Sequence, residues 1–297
     1  MLRREEMRGW SSAEFFHVCT DGRVMPWMFQ DEADFIAGVN RIGICCLKTK
    51  AKVVSFVLMD NHVHFVLLGT MSQCKEFITL YKQLTGTWIH NKYGLNDFLK
   101  QLPTTISRLD TEERLLNTIA YIDRNPIVAG YKYLATEYPW GSAQYLFKKV
   151  VANEPTRRLG TLTVRSKIKL LNTRTTLPDD WSINQNGMLT PQSFIDFSKT
   201  ESYFKSPARY SYYLAKKLEG IVEKEYETAQ KIFIPDSELR EIVGKIISNE
   251  YGKNNLSDLD LNSRLSIAKK LRYNYASTIK QIARMLHLEK STLEHFL

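Results

Sequence analysis

The stretch "AKVVSFVLMDNHVHFVLLG" (51–69) carries two apolar runs broken by Asp60 and Asn61. Each run is short and rich in β-branched and aromatic residues, which predicts a strand over 51–59 and a second over 62–68. Asp60 and Asn61 supply turn chemistry between them, so the pair reads as a β-hairpin. Its second strand contains His62 and His64. Side chains alternate along a strand, so these two imidazoles share a face while Val63 and Phe65 take the other. At roughly 6–7 Å apart by strand geometry, both can reach one metal ion. Hydrogen-bonded structural histidines explain the same pattern.

Around the hairpin the pattern alternates. "FFHVCTDG" (15–22) predicts a strand ending in a turn, "DEADFIAGVNRIGICCL" (31–47) a helix, and "SQCKEFITLYKQLTGTWIHNKYG" (72–94) a helix ending on glycine. The expected class is α+β, a small antiparallel sheet flanked by helices, over residues 1–150. Farther on, "LDTEERLLNTIAYIDRNPIVAG" (109–130) reads as a helix with a capping box of Asp110 and Glu113. Leu115, Leu116, Ile119 and Ile122 form its apolar stripe, and Pro126 is expected to stop it just after Asn125. At 100° per residue Tyr121 and Asn125 fall together, on the side away from the stripe, with Arg114 and Thr118. A tyrosine there packs on a second layer or serves a purpose of its own.

The 297 residues include 41 lysines and arginines against 32 aspartates and glutamates, a net charge of +9. That surplus favours a polyanionic partner such as nucleic acid. No apolar run reaches the roughly 18–20 residues that span a bilayer, and the first residues lack the apolar core of a signal peptide. The expected location is cytoplasmic, in association with the nucleoid. Cys19, Cys45, Cys46 and Cys74 form no CxxC pair, so neither a zinc knuckle nor a disulfide framework is suggested. A zinc-binding regulator is disfavoured because no cysteine lies close to the histidines in sequence.

Between Arg157 and Arg174 six basic residues stand with no acidic one, which suits a linker or phosphate-contacting arm over 151–190. From 191 to 297 the pattern is helical, with "PDSELREIVGKIISNEYG" (235–252) capped at Asp236 or Ser237 and closed by glycine. The last segment, "STIKQIARMLHLEKSTLEHFL" (277–297), has helix-turn-helix spacing: Ile279, Ile282, Ala283 and Leu286, a turn at His287, then Leu293 and Phe296. The last helices of an ordinary bundle fit too. Lys269, Lys270 and Arg272 precede it and suit DNA contact or a solvated face.

"MDNHVHFVLLG", "AYIDRNPIVAGY" and "YPWGSAQY", in that order, resemble the REP-associated tyrosine transposases. These are HUH single-tyrosine enzymes of the IS200-like superfamily, in which "MPNHVH", "YIxxNPVxAGL" and "WxxSSY" recur. The resemblance covers about residues 11–148. It implies a ferredoxin-like HUH domain in which His62, His64 and Asn125 hold Mg²⁺ or Mn²⁺ and Tyr121 is the nucleophile. The implied substrate is hairpin-bearing or palindromic single-stranded DNA, cleaved and rejoined through a 5′-phosphotyrosine by a monomer or homodimer. A DNA-binding regulator that keeps the fold with reduced or lost catalysis is the alternative. Two departures stand out. Asp60 replaces the usual proline, and "GLNDFLKQLPTTISRLD" lacks the Gly-aromatic-Gln-x-Arg-Phe stretch expected before the tyrosine helix. His17 matches a first-strand histidine of the family and is assigned a structural role.

Overall fold

The structure, a computed structural model, describes residues 13–22, 24, 27–96, 99–100, 102–148, 155–216, 222, 230–231, 236–274, 277 and 279–296. It divides into two compact units, Met1–Lys100 with Thr104–Gln230, and Gln101–Pro103 with Lys231–Leu297.

The first unit is α+β. Its long strands are β1 (Glu14–Thr20), β2 (Lys52–Leu58), β3 (Val63–Gly69) and β4 (Thr104–Leu109), antiparallel in the order β2-β3-β1-β4. The expected hairpin is β2–β3, in which Leu58 pairs with Val63 across the Asp60–Asn61 turn. Helices α1 (Glu32–Thr49) and α2 (Met71–Tyr93) follow β1 and β3, and α3 (Glu112–Val128) follows β4. Asp31 caps α1 and a Thr70–Gln73 capping box opens α2, each side chain accepting an otherwise orphaned first-turn N–H. Gly94 closes α2 in the left-handed region, at φ 73°.

Both faces of the sheet are covered, which is why the strands read as nearly continuous apolar runs. On one face Phe65 meets Phe77 and Tyr81 of α2, with ring centroids 5.2 and 5.1 Å away. The other face is defined by the β1–β3 register, where Cys19 lies opposite His64, His17 opposite Val66 and Phe15 opposite Leu68. Phe15 packs edge-on against Tyr203 of α5 (Phe197–Phe204) on that face, and α3 crosses it. His17 and His64 are therefore interior residues, 1% and 4% exposed.

Helix α3 differs from expectation at both ends. Its cap is Thr111, which accepts from Arg114 N, while Asp110 pairs with the Arg114 side chain at 2.8 Å. Pro126 lies inside the helix, which runs on to Val128. Strand β4 was not foreseen; it occupies "TTISRL", inside the segment noted only for the family stretch it lacks. Its burial on the β1 edge, rather than a strong local pattern, makes it a strand.

The segment expected to be a basic linker is folded into the first unit. Two-residue strands β5 (Arg157–Arg158) and β6 (Ser182–Ile183) pair, and α4 (Val164–Leu171) lies between them. Leu159, Leu171, Leu177, Trp181, Ile183 and Leu189 cluster with Ile44 of α1. Asn40 of α1 donates to Gly187 O and accepts from Leu189 N, fixing the segment's path. Arg157, Arg158, Arg165, Lys169 and Arg174 stay exposed and Lys167 pairs with Asp179, so the charge run marks an outer face over an apolar inner one. Helices α5 and α6 (Pro207–Ala215) also belong to this unit, not to a separate C-terminal domain from 191. Trp181→Ala is accordingly expected to destabilise the first unit by about 3 kcal/mol in a denaturant titration. A tryptophan on a linker would change it by less than about 0.5 kcal/mol.

The second unit is helical: α7 (Asp236–Tyr251), α8 (Leu261–Asn274), α9 (Ile279–Leu286) and α10 (Lys290–Phe296). Leu239, Ile267, Ala268, Leu271, Ile282, Leu286 and Leu293 are completely buried at its core. His287 turns the chain between α9 and α10 at φ 50°, a left-handed position more often held by glycine. Phe296, expected to face inward, is 43% exposed and lies under the Lys269 ammonium. Asp236 and Ser237, the expected caps, fall within α7, which begins at Asp236; the residues just before it lie outside the described ones. Gly252 follows α7 at φ 61°, as expected.

Candidate active site at the end of the sheet

His17, His62, His64, Tyr121 and Asn125 come together where β1 and β3 meet the last turns of α3. The His62 and His64 rings are 4.9 Å apart and almost perpendicular. His64 lies 5.7 Å from the Tyr121 ring and His17 lies 6.2 Å from it. Asn125 reaches back along its helix, Nδ2 donating to Tyr121 O at 3.0 Å, and its Oδ1 stands 3.4 Å from His62 Nε2. The four residues named from sequence are thus brought into one cluster across some sixty residues of chain.

Helix α3 is packed on more than its apolar stripe at this level. Thr118 is fully buried, Tyr121 and Asn125 are half-buried, and Asp123 faces away from the histidines into the protein. The opposition of Tyr121 to the apolar stripe therefore reflects a helix packed on two sides: the sheet receives Tyr121, and α6 receives Asp123 through Tyr210. Asp123 accepts from Tyr210 Oη at 2.7 Å and from Ser55 Oγ of β2 at 3.4 Å. Ser142 Oγ in turn donates to Ser55 Oγ and accepts from Phe56 N. This buried network fixes the rotation of α3 and with it the side on which Tyr121 and Asn125 emerge.

The loop before β3 aims His62. Asn61 donates from Nδ2 to Gly22 O at 2.8 Å, and its Oδ1 lies 2.7 Å from His62 Nδ1. That contact directs Nε2, the other ring nitrogen, toward Asn125. A Cβ on Gly22 would lie 2.7 Å from His62 Nδ1, so only glycine lets the two segments approach this closely. Thr20 Oγ1 accepts from Val63 N, tying β1 to the same turn. Asp60 acts on Tyr131, where its charge helps burial push the phenol up.

All three imidazoles are neutral at ordinary pH. Burial holds His17 down to about 3 and His64 well below the usual range, with the adjacent imidazoles adding to the shift at His64. His62 is lowered by burial too, partly offset by Asn125 and the charges of Asp60 and Asp21. Neutral rings keep the lone pair that metal coordination requires. Of the two ions expected, Mn²⁺ lies above Mg²⁺ in readiness to take nitrogen ligands, whereas two imidazoles and an amide oxygen are a poor match for Mg²⁺, which demands oxygen ligands.

Three residues were missed or set aside from sequence. His17 Nε2 lies 3.1 Å from His64 Nδ1, one imidazole N–H donating to the other ring's lone pair. Cys19 shares the face of both rings. Gly22 makes room for His62. Strand parity puts His17 and Cys19 on one face, yet only the β1–β3 register brings them to His64. Among the described residues no helix is long and apolar enough to cross a membrane. No protein-family model, curated protein or solved structure matches the chain.

Proposed function

We propose that the protein is a metal-dependent single-stranded DNA nicking and joining enzyme of the HUH single-tyrosine kind. The observation that carries this reading is the convergence of Tyr121 and Asn125, one helical turn apart, on two neutral histidines from a different part of the chain. The order β2-β3-β1-β4 with helices after β1 and β3 supports the ferredoxin-like form of the domain. The surplus of positive charge, including the exposed Arg157, Arg158 and Arg165, supports a polyanionic substrate. The two short helices around His287 are read as a helix-turn-helix that contacts DNA.

In this reading His62, His64 and Asn125 hold Mn²⁺ or Mg²⁺, which would offset charge on a phosphate oxygen as the transition state forms. Tyr121 attacks phosphorus in line, giving up its phenolic proton. The P–O bond to the 3′-oxygen breaks, that oxygen takes up a proton, and a 5′-phosphotyrosine remains. Because the phosphodiester energy is kept in the new ester, attack by a 3′-hydroxyl reverses the step without a nucleotide cofactor. Asn61 and Gly22 hold the His62 ring, and Asp123 holds the helix that presents the nucleophile.

Incubation with labelled single-stranded DNA hairpins and Mn²⁺, followed by a denaturing gel, tests the proposal. A band shifted by the mass of the protein is expected. DNA bound under native conditions with no such band would assign the chain to DNA-binding regulators instead. Gly22→Ala is expected to keep the fold while lowering Mn²⁺ affinity about tenfold, the scale at which misplaced ligand support acts. Manganese titration followed by electron paramagnetic resonance, with a thermal melt as control, reads both quantities.

A further inference from the structure

We propose that His17, Cys19 and His64 form a binding site for a divalent transition-metal ion of the zinc class. The set shares His64 with His62, His64 and Asn125 and differs in its other two members, and the observations behind it do not depend on the DNA chemistry. Its placement follows from the sheet. His17 and Cys19 are two apart on β1 and so share a face, and Cys19 is the direct cross-strand partner of His64 on β3. One ligand atom from each of the three lies within 4.8 Å of the others, and this is the only such group of histidine, cysteine and carboxylate side chains among the described residues.

A tetrahedral zinc ion, with bonds of about 2.0–2.1 Å to nitrogen and about 2.3 Å to sulfur, needs ligand atoms about 3.3–3.6 Å apart. His17 and His64 already approach to 3.1 Å, and small rotations of the rings and the thiol supply the rest. The chemistry selects the metal. A thiolate with two imidazoles is a borderline-soft set that suits Zn²⁺ or Co²⁺ and is a poor match for Mg²⁺, which demands oxygen ligands in an octahedron. Two strands of the sheet supply the three ligands from residues 1%, 7% and 4% exposed, so the backbone under them is rigid. Half-buried His62, Tyr121 and Asn125 form the rim through which an ion reaches the cluster.

Coordination exchanges the Cys19 S–H bond for a metal–sulfur bond. The proton leaves to solvent, the metal remains divalent, and the ligands displace water from its hydration shell. With three protein ligands a fourth position is left, and the Tyr121 ring lies beside two of the three.

Cobalt(II) added to the metal-free full chain is the probe. A thiolate-to-cobalt charge-transfer band in the near ultraviolet is expected to saturate at equimolar metal. Equimolar Zn²⁺ should bleach it, and a large excess of Mg²⁺ should not. Cys19→Ser should lose the band and His62→Ala should keep it. X-ray absorption of the zinc-loaded wild-type protein needs no variant, and a sulfur scatterer at about 2.3 Å is expected. A shell of nitrogen and oxygen alone overturns the proposal, as does a charge-transfer band of undiminished intensity in Cys19→Ser, which would place the ligand at Cys45, Cys46 or Cys74. The gel for covalent DNA adduct is read separately, so failure here and failure of the nicking reaction are distinguishable.

Discussion

Tyr121→Phe is expected to abolish the covalent protein–DNA adduct while leaving the protein folded. The substitution removes one oxygen and keeps the ring beside His64 and His17, so packing at the sheet end is preserved. Loss of the hydroxyl's interactions costs about 1 kcal/mol, too little to unfold a domain of this size. Cleavage of a hairpin oligonucleotide should fall roughly 10³-fold or more, the scale seen when a nucleophile is deleted. Three other tyrosines of the first unit are poor substitutes. Tyr81 is fully buried, Tyr93 is committed to Asp34 at 2.7 Å, and burial with the Asp60 charge pushes the Tyr131 phenol up to about 12. Peptide mapping of the wild-type adduct should return Tyr121. An adduct on Tyr131 or Tyr133, or one that survives in Tyr121→Phe, would end the proposed mechanism.

Asp123→Asn is expected to stabilise the protein relative to wild type at high pH and not at low pH. Burial pushes the Asp123 carboxyl up from 3.8 to about 7, against the opposing pull of bonds from Tyr210 and Ser55. Because the folded value lies above the unfolded one, its contribution to stability is fully present below about pH 4 and is lost as pH rises through about 7. The difference between the variant and wild type should therefore grow across that window, approaching about 4 kcal/mol at its upper end by linkage at about 1.4 kcal/mol per unit. Buried His17 and His64 act in the opposite sense, costing stability as pH falls below 6.5, but they are common to both proteins and cancel in the difference. Denaturant titrations at several pH values check it; a difference independent of pH would mean that Asp123 is ionised in the folded state. Asp123→Ala instead leaves Tyr210 Oη without its acceptor and should cost about 2–4 kcal/mol at low pH, a cost that shrinks by the same linkage as pH rises through the window.

The elements legible in the sequence are those whose signal is local. The β2–β3 hairpin, α1, α2 and the apolar stripe of α3 each announce themselves through period, caps or turn residues within a dozen positions. Strand β4 does not, because "TTISRL" has no turn signature or strong alternation and is ordered by pairing with β1. The fold of 155–216 was hidden for another reason. Its exposed arginines and lysines dominate the composition, while the inward residues, Leu159, Leu171, Leu177, Trp181 and Leu189, are spread too widely to show a period.

By itself, the sequence determined that His64 lies on the hairpin's second strand, with His62 expected there too but found one residue before it, that Tyr121 and Asn125 share one side of a helix, and that the first unit is α+β. These follow from 3.6- and 2-residue periodicities, which are properties of the backbone alone. The tertiary structure decided what meets what. It placed β1 between β3 and β4, and so brought His17 and Cys19 to His64 across 47 positions of chain in the case of His17. Through Asp123, Ser55 and Tyr210 it set the rotation that points Tyr121 at the histidines instead of at solvent. Register and helix rotation are chosen by which buried polar groups find partners and which apolar faces close together, and no short stretch of residues contains that information.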